Sequence, residues 1–292
     1  MIADDKKIDI PLAFDWELDN IEKTIWRSVD RGGRINELRE KNAARPKGGN
    51  VMRNMIIFIN GVVVLTMLFW VAPLSAVAAG EKTGVIVVDM QGDFTTWKKG
   101  TLAVNGADQA YVRKVEDATA LLKKKGFVLY GTQDWHPRNH ISFASNHPGN
   151  KPFEAIQVNG KTQVLWPDHC LQGTDGAKVL LDNNIFQAIV KKGQDLRFDS
   201  YSGFQDDGGS KTEMDTILKA AGIKKLVVYG LATDYCVMAT AIDAAADGYK
   251  VIVIEGLCRG VAPDSTAKAL ETMKAKGITI LKEIDMKKIN DL

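Results

Sequence analysis

The feature that most constrains the fold is an alternation of short apolar runs and longer helical patterns after residue 81. The apolar runs are rich in β-branched residues and span residues 84–89, 127–132, 185–190, 225–230, 250–255 and 278–281. Helical patterns lie between them at residues 107–125, 211–221, 234–247 and 265–276. Runs this apolar are typical of strands that are buried on both faces. The alternation therefore predicts a three-layer α/β/α fold with a mostly parallel six-stranded sheet.

Composition agrees with one packed domain and limits the function classes. The chain has 292 residues, of which 45% are apolar and 25% are charged, and its net charge is +2. Charges of both signs are mixed along the chain, without the basic stripe that binds nucleic acids. Three cysteines are too few for a disulfide framework. Cys170 and Cys258 are interpreted as small buried side chains, with a bridge between them as the alternative in an exported protein.

The first eighty residues divide into two parts. Residues 54–80 carry no charge, follow Arg53, and end in small residues after Pro73. This pattern predicts a secretory signal peptide over residues 52–79, with a membrane anchor as the alternative. Residues 1–51 are interpreted as a poorly structured extension, or as sequence upstream of a true start at Met52. The folded domain is then residues 80–292, and the expected location is the periplasm or, for an anchor, the inner membrane.

Side chains that can act in catalysis or bind a metal ion lie at or just after the ends of four predicted strands. Asp89 ends the first strand, Asp134 and His136 follow the second, Lys192 follows the third, and Cys236 follows the fourth. Ligands of open parallel sheets bind at the carboxyl ends of the strands, so these side chains are expected to meet there. Their convergence from four strands is a stronger indication of a site than any one of them.

Three of these residues suggest nucleophilic catalysis. Cys236 lies where a strand turns into a helix, and the N–H groups of such a turn favour an ionised thiol near neutral pH. A carboxylate can take the thiol proton and later protonate a leaving amine, and Asp89 is the candidate. A nearby cation must offset that carboxylate. Side chains alternate along a strand, so only one of Lys191 and Lys192 can face the site. Lys192 is preferred because it is adjacent to the turn glycine, Gly193.

A candidate metal site lies in the segment TQDWHPRNH. It contains Asp134, His136 and His140, and His169 follows in VLWPDHC. Asp134 and His136 are two residues apart, so in an extended backbone they share a face and can reach one ion. A third ligand from elsewhere would leave open positions, as catalytic sites require, and mixed O and N ligands suit Zn, Fe or Mn. His140 is either a ligand or a hydrogen-bond donor to one.

Several long motifs occur in order between residues 85 and 281. They are VVDMQGDF, GTLAV, TQDWHPRNHISFA, WPDHCLQGT, KKG followed by DSYSGF, GLATDYCV followed by AIDA, and CRGV. Together they resemble the nicotinamidases of the isochorismatase-like cysteine hydrolases. The resemblance implies the isochorismatase-like hydrolase fold, one divalent metal ion, and hydrolysis of nicotinamide to nicotinate and ammonia. It also implies that pyrazinamide is cleaved.

The resemblance assigns roles to individual positions. The implied catalytic triad is Asp89, Lys192 and Cys236, and the implied metal ligands are Asp134, His136 and His169, with His140 a ligand in some members. Phe94, Trp166 and Tyr201 would line the pocket, and the N–H groups of Ala232 and Cys236 would bind the oxyanion after a cis Leu231–Ala232 peptide.

Two other functions stay open from the sequence. One is another small-amide cysteine amidohydrolase of the same superfamily, acting on carbamoyl or ureido compounds, although such enzymes generally lack the Asp-x-His metal loop. The other is an exported metal-binding protein without catalytic activity, which an intact set of nucleophile, acid and lysine disfavours. A homo-oligomer is an open alternative for the assembly.

Overall fold

A computed structural model describes residues 81–158 and 160–291. Its strands and helices, in chain order, are β1 (Lys82–Val88), α1 (Gln109–Lys124), β2 (Val128–Asp134), β3 (Ala155–Val158), β4 (Lys161–Val164), β5 (Ala188–Lys192), α2 (Met214–Ala220), β6 (Ile223–Leu231), α3 (Met238–Ala246), β7 (Lys250–Arg259), α4 (Pro263–Ala275), β8 (Thr279–Leu281) and α5 (Met286–Asp291).

Six of the strands form one sheet, in the spatial order β5-β2-β1-β6-β7-β8. Every neighbouring pair in this sheet is parallel. The chain first adds strands on one side of β1 and then returns to add β6, β7 and β8 on the other side. The order therefore reverses at β1, and such a reversal opens a crevice at the carboxyl ends of the strands, where ligands bind.

Helices cover both faces of the sheet because crossovers between parallel strands are right-handed. The chain runs in one direction from β1 through α1 to β2, and in the other direction from β6 through α3 and α4 to β8. Consequently α1 lies on one face, while α3 and α4 lie on the other and contact each other. The central strands between these layers are largely apolar and buried over residues 85–88, 226–229 and 251–254.

The predicted fold class is confirmed, and the main differences concern element boundaries. The strand predicted at 185–190 is observed at Ala188–Lys192, because Asn183–Ile185 form a 3₁₀ turn with Asp182 as its cap. The helix predicted from residue 234 begins at Met238, because Thr233–Val237 form a π-helical turn. The segment 140–182, which has no clear periodicity in sequence, contains the antiparallel β3–β4 hairpin.

Other sequence-based expectations have different outcomes. Cys170, Cys236 and Cys258 are all free and buried, so the alternative of a Cys170–Cys258 bridge is wrong. Among the helices of residues 81–158 and 160–291, none is long and apolar enough to cross a membrane. The segments predicted at residues 1–51 and 52–79 lie outside the described residues.

Candidate active site

Four adjacent strands bring the sequence-predicted residues to one edge of the sheet. Asp134 is the last residue of β2 and Lys192 is the last residue of β5. Asp89 follows β1 directly, with φ at 45°, and Cys236 lies in the π-helical turn after β6. A positive φ is uncommon for a residue with a side chain. It turns the chain out of the strand direction at the point where the sheet order reverses.

Lys192 is the centre of this group. Its Nζ lies 3.0 Å from Asp89 Oδ2, 2.5 Å from Asp134 Oδ1 and 3.4 Å from Cys236 Sγ. It also donates a hydrogen bond of 2.8 Å to the carbonyl of Ser200. The ammonium group is fully buried, as are the two carboxylates that pair with it. Lys191 is exposed and stacks over Trp135, so the alternation along β5 selects Lys192, as predicted.

The charges around Cys236 set its resting protonation. Burial raises the pKa of the Cys236 thiol well above its ordinary value, Lys192 opposes this shift, and Asp89 and Asp134 add to it. Burial also raises the pKa of Asp89, against the lowering effect of Lys192. Burial and the two carboxylates thus oppose ionisation of the Cys236 thiol, whereas Lys192 favours it. Asp89 is the neighbouring carboxylate that can accept the thiol proton.

A second group of side chains converges beside the first. Asp134 Oδ2 lies 3.5 Å from His136 Nε2 and 4.0 Å from His169 Nε2, and the candidate ligand atoms of these three residues all lie within 4.8 Å of one another. His136 Nδ1 contacts the Gly193 carbonyl at 2.9 Å, and His169 Nδ1 contacts the Pro167 carbonyl at 2.8 Å. A carbonyl can only accept, so both Nδ1 atoms donate and both Nε2 lone pairs face the shared space.

This donor set fits a divalent metal ion. One carboxylate and two imidazoles are a common ligand set for Zn, Fe or Mn, and three protein ligands leave positions open for water or substrate. The buried charges agree, because Asp89 and Asp134 both pair with the single ammonium of Lys192, and Asp199 is a third buried carboxylate in the pocket lining. Uncompensated buried charge is costly, and a divalent cation would balance it. Burial, together with His136, lowers the pKa of His169 to about 4, whereas Asp134 raises the pKa of His136 against the effect of burial. A divalent ion bound here would take the place of the proton on His136.

His140 lies beside this group but outside it. Its Nδ1 pairs with Ser142 Oγ at 2.8 Å, and its Nε2 lies 3.2 Å from the carbonyl of Phe198. The His140 ring packs against the ring of His136, with 4.3 Å between their centroids. Of the two roles left open by the sequence, the geometry therefore favours a support for His136 over a direct ligand.

An aromatic pocket opens onto both groups. It has about 430 Å³ of free space, part of it open to solvent, and its lining includes all three sequence-predicted aromatic residues: Phe94, Trp166 and Tyr201. Cys236, Asp134 and His169 also line it. The Trp166 Nε1 atom donates a hydrogen bond of 3.1 Å to the Tyr201 hydroxyl. Such a pocket suits a small planar ring.

Sequence reasoning missed three residues that contribute to this site. Tyr235 lines the pocket, and its ring centroid lies 5.0 Å from that of Trp166. Asp199 also lines the pocket, buried in the segment DSYSGF. Gln91 is fully buried and its side chain bonds to the backbone of Asp134. Tyr235 could have been found from its position next to Cys236, whereas no local pattern marks the other two.

The turn that carries Cys236 is tied to the segment before α4. At the start of the turn, Leu231–Ala232 is a cis peptide, as expected, and Ala232 lines the pocket. Within the turn, the buried carboxylate of Asp234 accepts hydrogen bonds from Val261 N at 2.9 Å, Ala262 N at 3.2 Å and Ser265 Oγ at 2.5 Å. Asp234 therefore connects the turn to the pocket wall at Val261 and to the start of α4.

Comparisons with known proteins agree with this geometry. Residues 83–285 match the Isochorismatase domain family. The nicotinamidase of Escherichia coli is 42% identical over 204 residues, which are 67% of this chain and 92% of that protein. A solved structure of an Acinetobacter baumanii nicotinamidase/pyrazinamidase is 39% identical, covers 70% of this chain and 97% of its own, and superposes with a TM-score of 0.64. A pyrazinamidase of Pyrococcus horikoshii in complex with zinc is 35% identical, covers 70% and 99% of the two chains, and has a TM-score of 0.58.

Proposed function

The chain belongs to the isochorismatase family, and from that premise we propose that it hydrolyses nicotinamide to nicotinate and ammonia. The observation that carries the proposal is the contact of Lys192 with both Asp89 and Cys236, beside the donor group of Asp134, His136 and His169. Relatives at 42% and 39% identity carry the same activity in their names. Pyrazinamide has the same carboxamide next to a ring nitrogen and is a second substrate.

In the acylation step, Asp89 takes the proton of the Cys236 thiol and the sulfur attacks the carboxamide carbon. Burial raises the pKa of Asp89, which makes its carboxylate a stronger base for the Cys236 proton. Lys192 stabilises the charge as it moves between sulfur and carboxylate. The N–H groups of Ala232 and Cys236 are assigned to the oxyanion. Asp89 then returns the proton to the leaving amine, so that ammonia departs and a thioester remains.

In the deacylation step, Asp89 takes a proton from water and the hydroxide attacks the thioester carbon. The bond to sulfur breaks, nicotinate leaves, and the proton returns to Cys236. The same carboxylate serves both half-reactions, as microscopic reversibility requires of one acid–base group. Asp134, His136 and His169 would hold a divalent ion, and the chemistry that such an ion would supply is that of a Lewis acid beside the substrate.

The aromatic rings supply binding and exclude water. Trp166, Tyr201 and Tyr235 pack edge to face or tilted against one another at centroid distances of 5.0–6.4 Å. Rings held in this way form a rigid wall for a flat substrate at low entropic cost. Phe94 completes the lining next to His169, with 5.5 Å between their ring centroids.

The test is release of ammonia from nicotinamide and from pyrazinamide. The Cys236→Ala variant is expected to lose activity on both amides. Cys258→Ala is the matched control, because Cys258 is also a buried free thiol but lies on β7 with its Sγ on the Ile254 carbonyl. Removal of metal by a chelator is expected to abolish turnover, and added Zn, Fe or Mn to restore it. Activity that survives Cys236→Ala contradicts the covalent mechanism.

The alternative within the superfamily is a carbamoyl or ureido amidohydrolase. It is tested with the same enzyme by comparing kcat/KM for nicotinamide and for a ureido acid. A higher value for the ureido acid would replace the proposed substrate but keep the triad. No ammonia from any of these amides would leave only metal binding as a function.

We further infer that the protein is exported, on the basis of the signal-like segment at residues 52–79. Cell fractionation and N-terminal sequencing of the natural product test this inference. A mature start near residue 80 supports a cleaved signal peptide, whereas a membrane-bound product that retains the segment supports an anchor. A soluble cytoplasmic product that includes Trp16 would exclude both export and a start at Met52.

Mass measurement of the same native product distinguishes a monomer from a homo-oligomer.

A further inference from the structure

Gln91 makes an unusual set of contacts for a side chain in the turn after β1. It is fully buried. Its Nε2 donates to the Asp134 carbonyl at 2.8 Å and to the Ala177 carbonyl at 2.8 Å, and its Oε1 accepts from Asp134 N at 2.8 Å. Both amide hydrogens and the amide oxygen are therefore used, and only one orientation of the amide satisfies all three bonds.

These bonds begin where the strand ladder stops. The register of β1 with β2 ends at Val87 opposite Gly131, whereas β5 stays paired with β2 as far as Lys192 opposite Asp134. The chain leaves the strand direction at Asp89, where φ is 45°. The N–H and carbonyl of Asp134 on the β1 side consequently receive no backbone partner from β1. The primary amide of Gln91 supplies both partners instead, because its Oε1 accepts from the Asp134 N–H and its Nε2 donates to the Asp134 carbonyl.

The position of Asp134 matters because its two oxygens face different groups. Oδ1 accepts from Lys192 at 2.5 Å, while Oδ2 faces His136 and His169 at 3.5 and 4.0 Å. A small shift of this residue would disturb the ion pair and the metal ligands together. Gln91 also donates its own N–H to the Asp89 carbonyl at 2.8 Å. One residue thus joins the turn that carries the acid to the strand end that carries the ligand.

We propose that Gln91 is a positioning residue that holds Asp134 in register for metal binding. The inference deepens the proposed function and rests on the same site. Gln91 differs from an ordinary buried amide, because it completes the backbone hydrogen bonds of Asp134, one of the residues proposed to bind the metal. Loss of the amide leaves a buried N–H and a buried carbonyl unpaired at the one residue that serves both halves of the site.

The chain offers a matched control in Gln133. This residue is also buried, and its Nε2 donates to the same Ala177 carbonyl at 2.8 Å. Gln133→Met therefore removes one bond to Ala177 without touching the backbone of Asp134. Gln91→Met removes a bond to the same carbonyl and, in addition, both bonds to Asp134. A difference between the two variants isolates the contacts with Asp134.

The experiment is titration of the metal-free protein with Zn²⁺ against a chromogenic chelator. Gln91→Met is expected to weaken Zn²⁺ binding by about 10–100-fold, in the range found when a group that supports a ligand is removed. Gln133→Met is expected to bind like the wild type. Equal Zn²⁺ affinity in Gln91→Met and wild type, or equal losses in the two variants, would overturn the proposal. The readout does not depend on turnover, so it stands apart from any failure of the nicotinamidase assay.

A measurement on the wild type covers the case in which Gln91→Met does not fold. Amide hydrogen exchange of metal-free protein, followed by NMR, reports on the Asp134 N–H directly. We expect protection similar to that of the paired amides of β2, because Gln91 Oε1 accepts this hydrogen with or without metal. Rapid exchange of the Asp134 amide in the folded metal-free protein would overturn the proposal.

Discussion

Substitution of Gly193 by alanine should weaken metal binding through a steric clash with His136. Gly193 follows Lys192 at the end of β5, with φ at 68°, and its carbonyl accepts from His136 Nδ1 at 2.9 Å. A Cβ built on Gly193 would lie 2.2 Å from His136 Cε1 and 2.5 Å from His136 Nδ1. Ordinary contacts begin near 3.4 Å, so the imidazole ring must move by roughly 1 Å.

Two costs follow from this geometry, and they can be measured separately. A side chain in the left-handed region costs about 1 kcal/mol of folding free energy. Displacement of the His136 ring also breaks its hydrogen bond and misdirects Nε2, which should weaken metal affinity by about 10–100-fold. The clash with the buried ring adds about 1–3 kcal/mol to the cost in stability. We therefore expect a larger loss of stability than from backbone strain alone, together with weaker metal binding.

The matched control is Gly126→Ala. Gly126 follows α1 with φ at 89°, and a Cβ there would meet nothing within 4 Å. It carries the backbone strain without the clash, so it should lose about 1 kcal/mol of stability and keep wild-type metal affinity. Urea unfolding, Zn²⁺ titration and ammonia release would be measured on both variants. Equal Zn²⁺ affinity in Gly193→Ala and Gly126→Ala would contradict the predicted displacement of His136.

Three further substitutions test separate parts of the site. Lys192→Met leaves two buried carboxylates without their cation. We expect the free energy of unfolding in urea to fall by about 3–5 kcal/mol and the rate of ammonia release to fall by about 10²–10⁴-fold. Unchanged turnover would contradict the assigned role. Trp166→Phe keeps an aromatic ring but loses the hydrogen bond to the Tyr201 hydroxyl. This loss should raise KM by about 2–10-fold with little change in kcat. A fall in kcat alone would contradict a binding role for Trp166. Asp234→Asn weakens the acceptor for the N–H groups of Val261 and Ala262, so the free energy of unfolding in urea should fall by about 1–3 kcal/mol. Asp264→Asn, at an exposed position in the first turn of α4, should lower it by less than about 0.5 kcal/mol. Equal losses would argue against a stabilising role of the Asp234 bonds.

The fold and the main site residues could be predicted because each depends on short-range patterns. Apolar runs of the right length predict strands, and parallel strands deliver their carboxyl ends to one edge. The choice between Lys191 and Lys192 needed the alternation of a strand and the position of Lys192 next to Gly193. The motif from Asp134 to His136 gave two candidate ligands at once, because residues two apart share a face of an extended segment.

What could not be predicted depends on distances between segments that are far apart in sequence. The pKa of Cys236 depends first on burial and then on Lys192, Asp89 and Asp134, and no local pattern gives the distances of these groups to its sulfur. Gln91 acts only because the ladder of β1 ends early, which follows from the backbone angle at Asp89. His140 lies outside the ligand group because its loop directs it to Ser142 and the Phe198 carbonyl.

The central place of β1 also decides where other molecules can be joined to this domain. Lys82 begins β1 at one edge of the sheet, and Asp89 emerges at the opposite edge, about 20 Å away for a strand of this length. A fusion partner, a fluorescent label or a solid support linked just before Glu81 is therefore attached on the side remote from the pocket mouth. An enzyme immobilised through this end should keep free access for small amides in flowing solution.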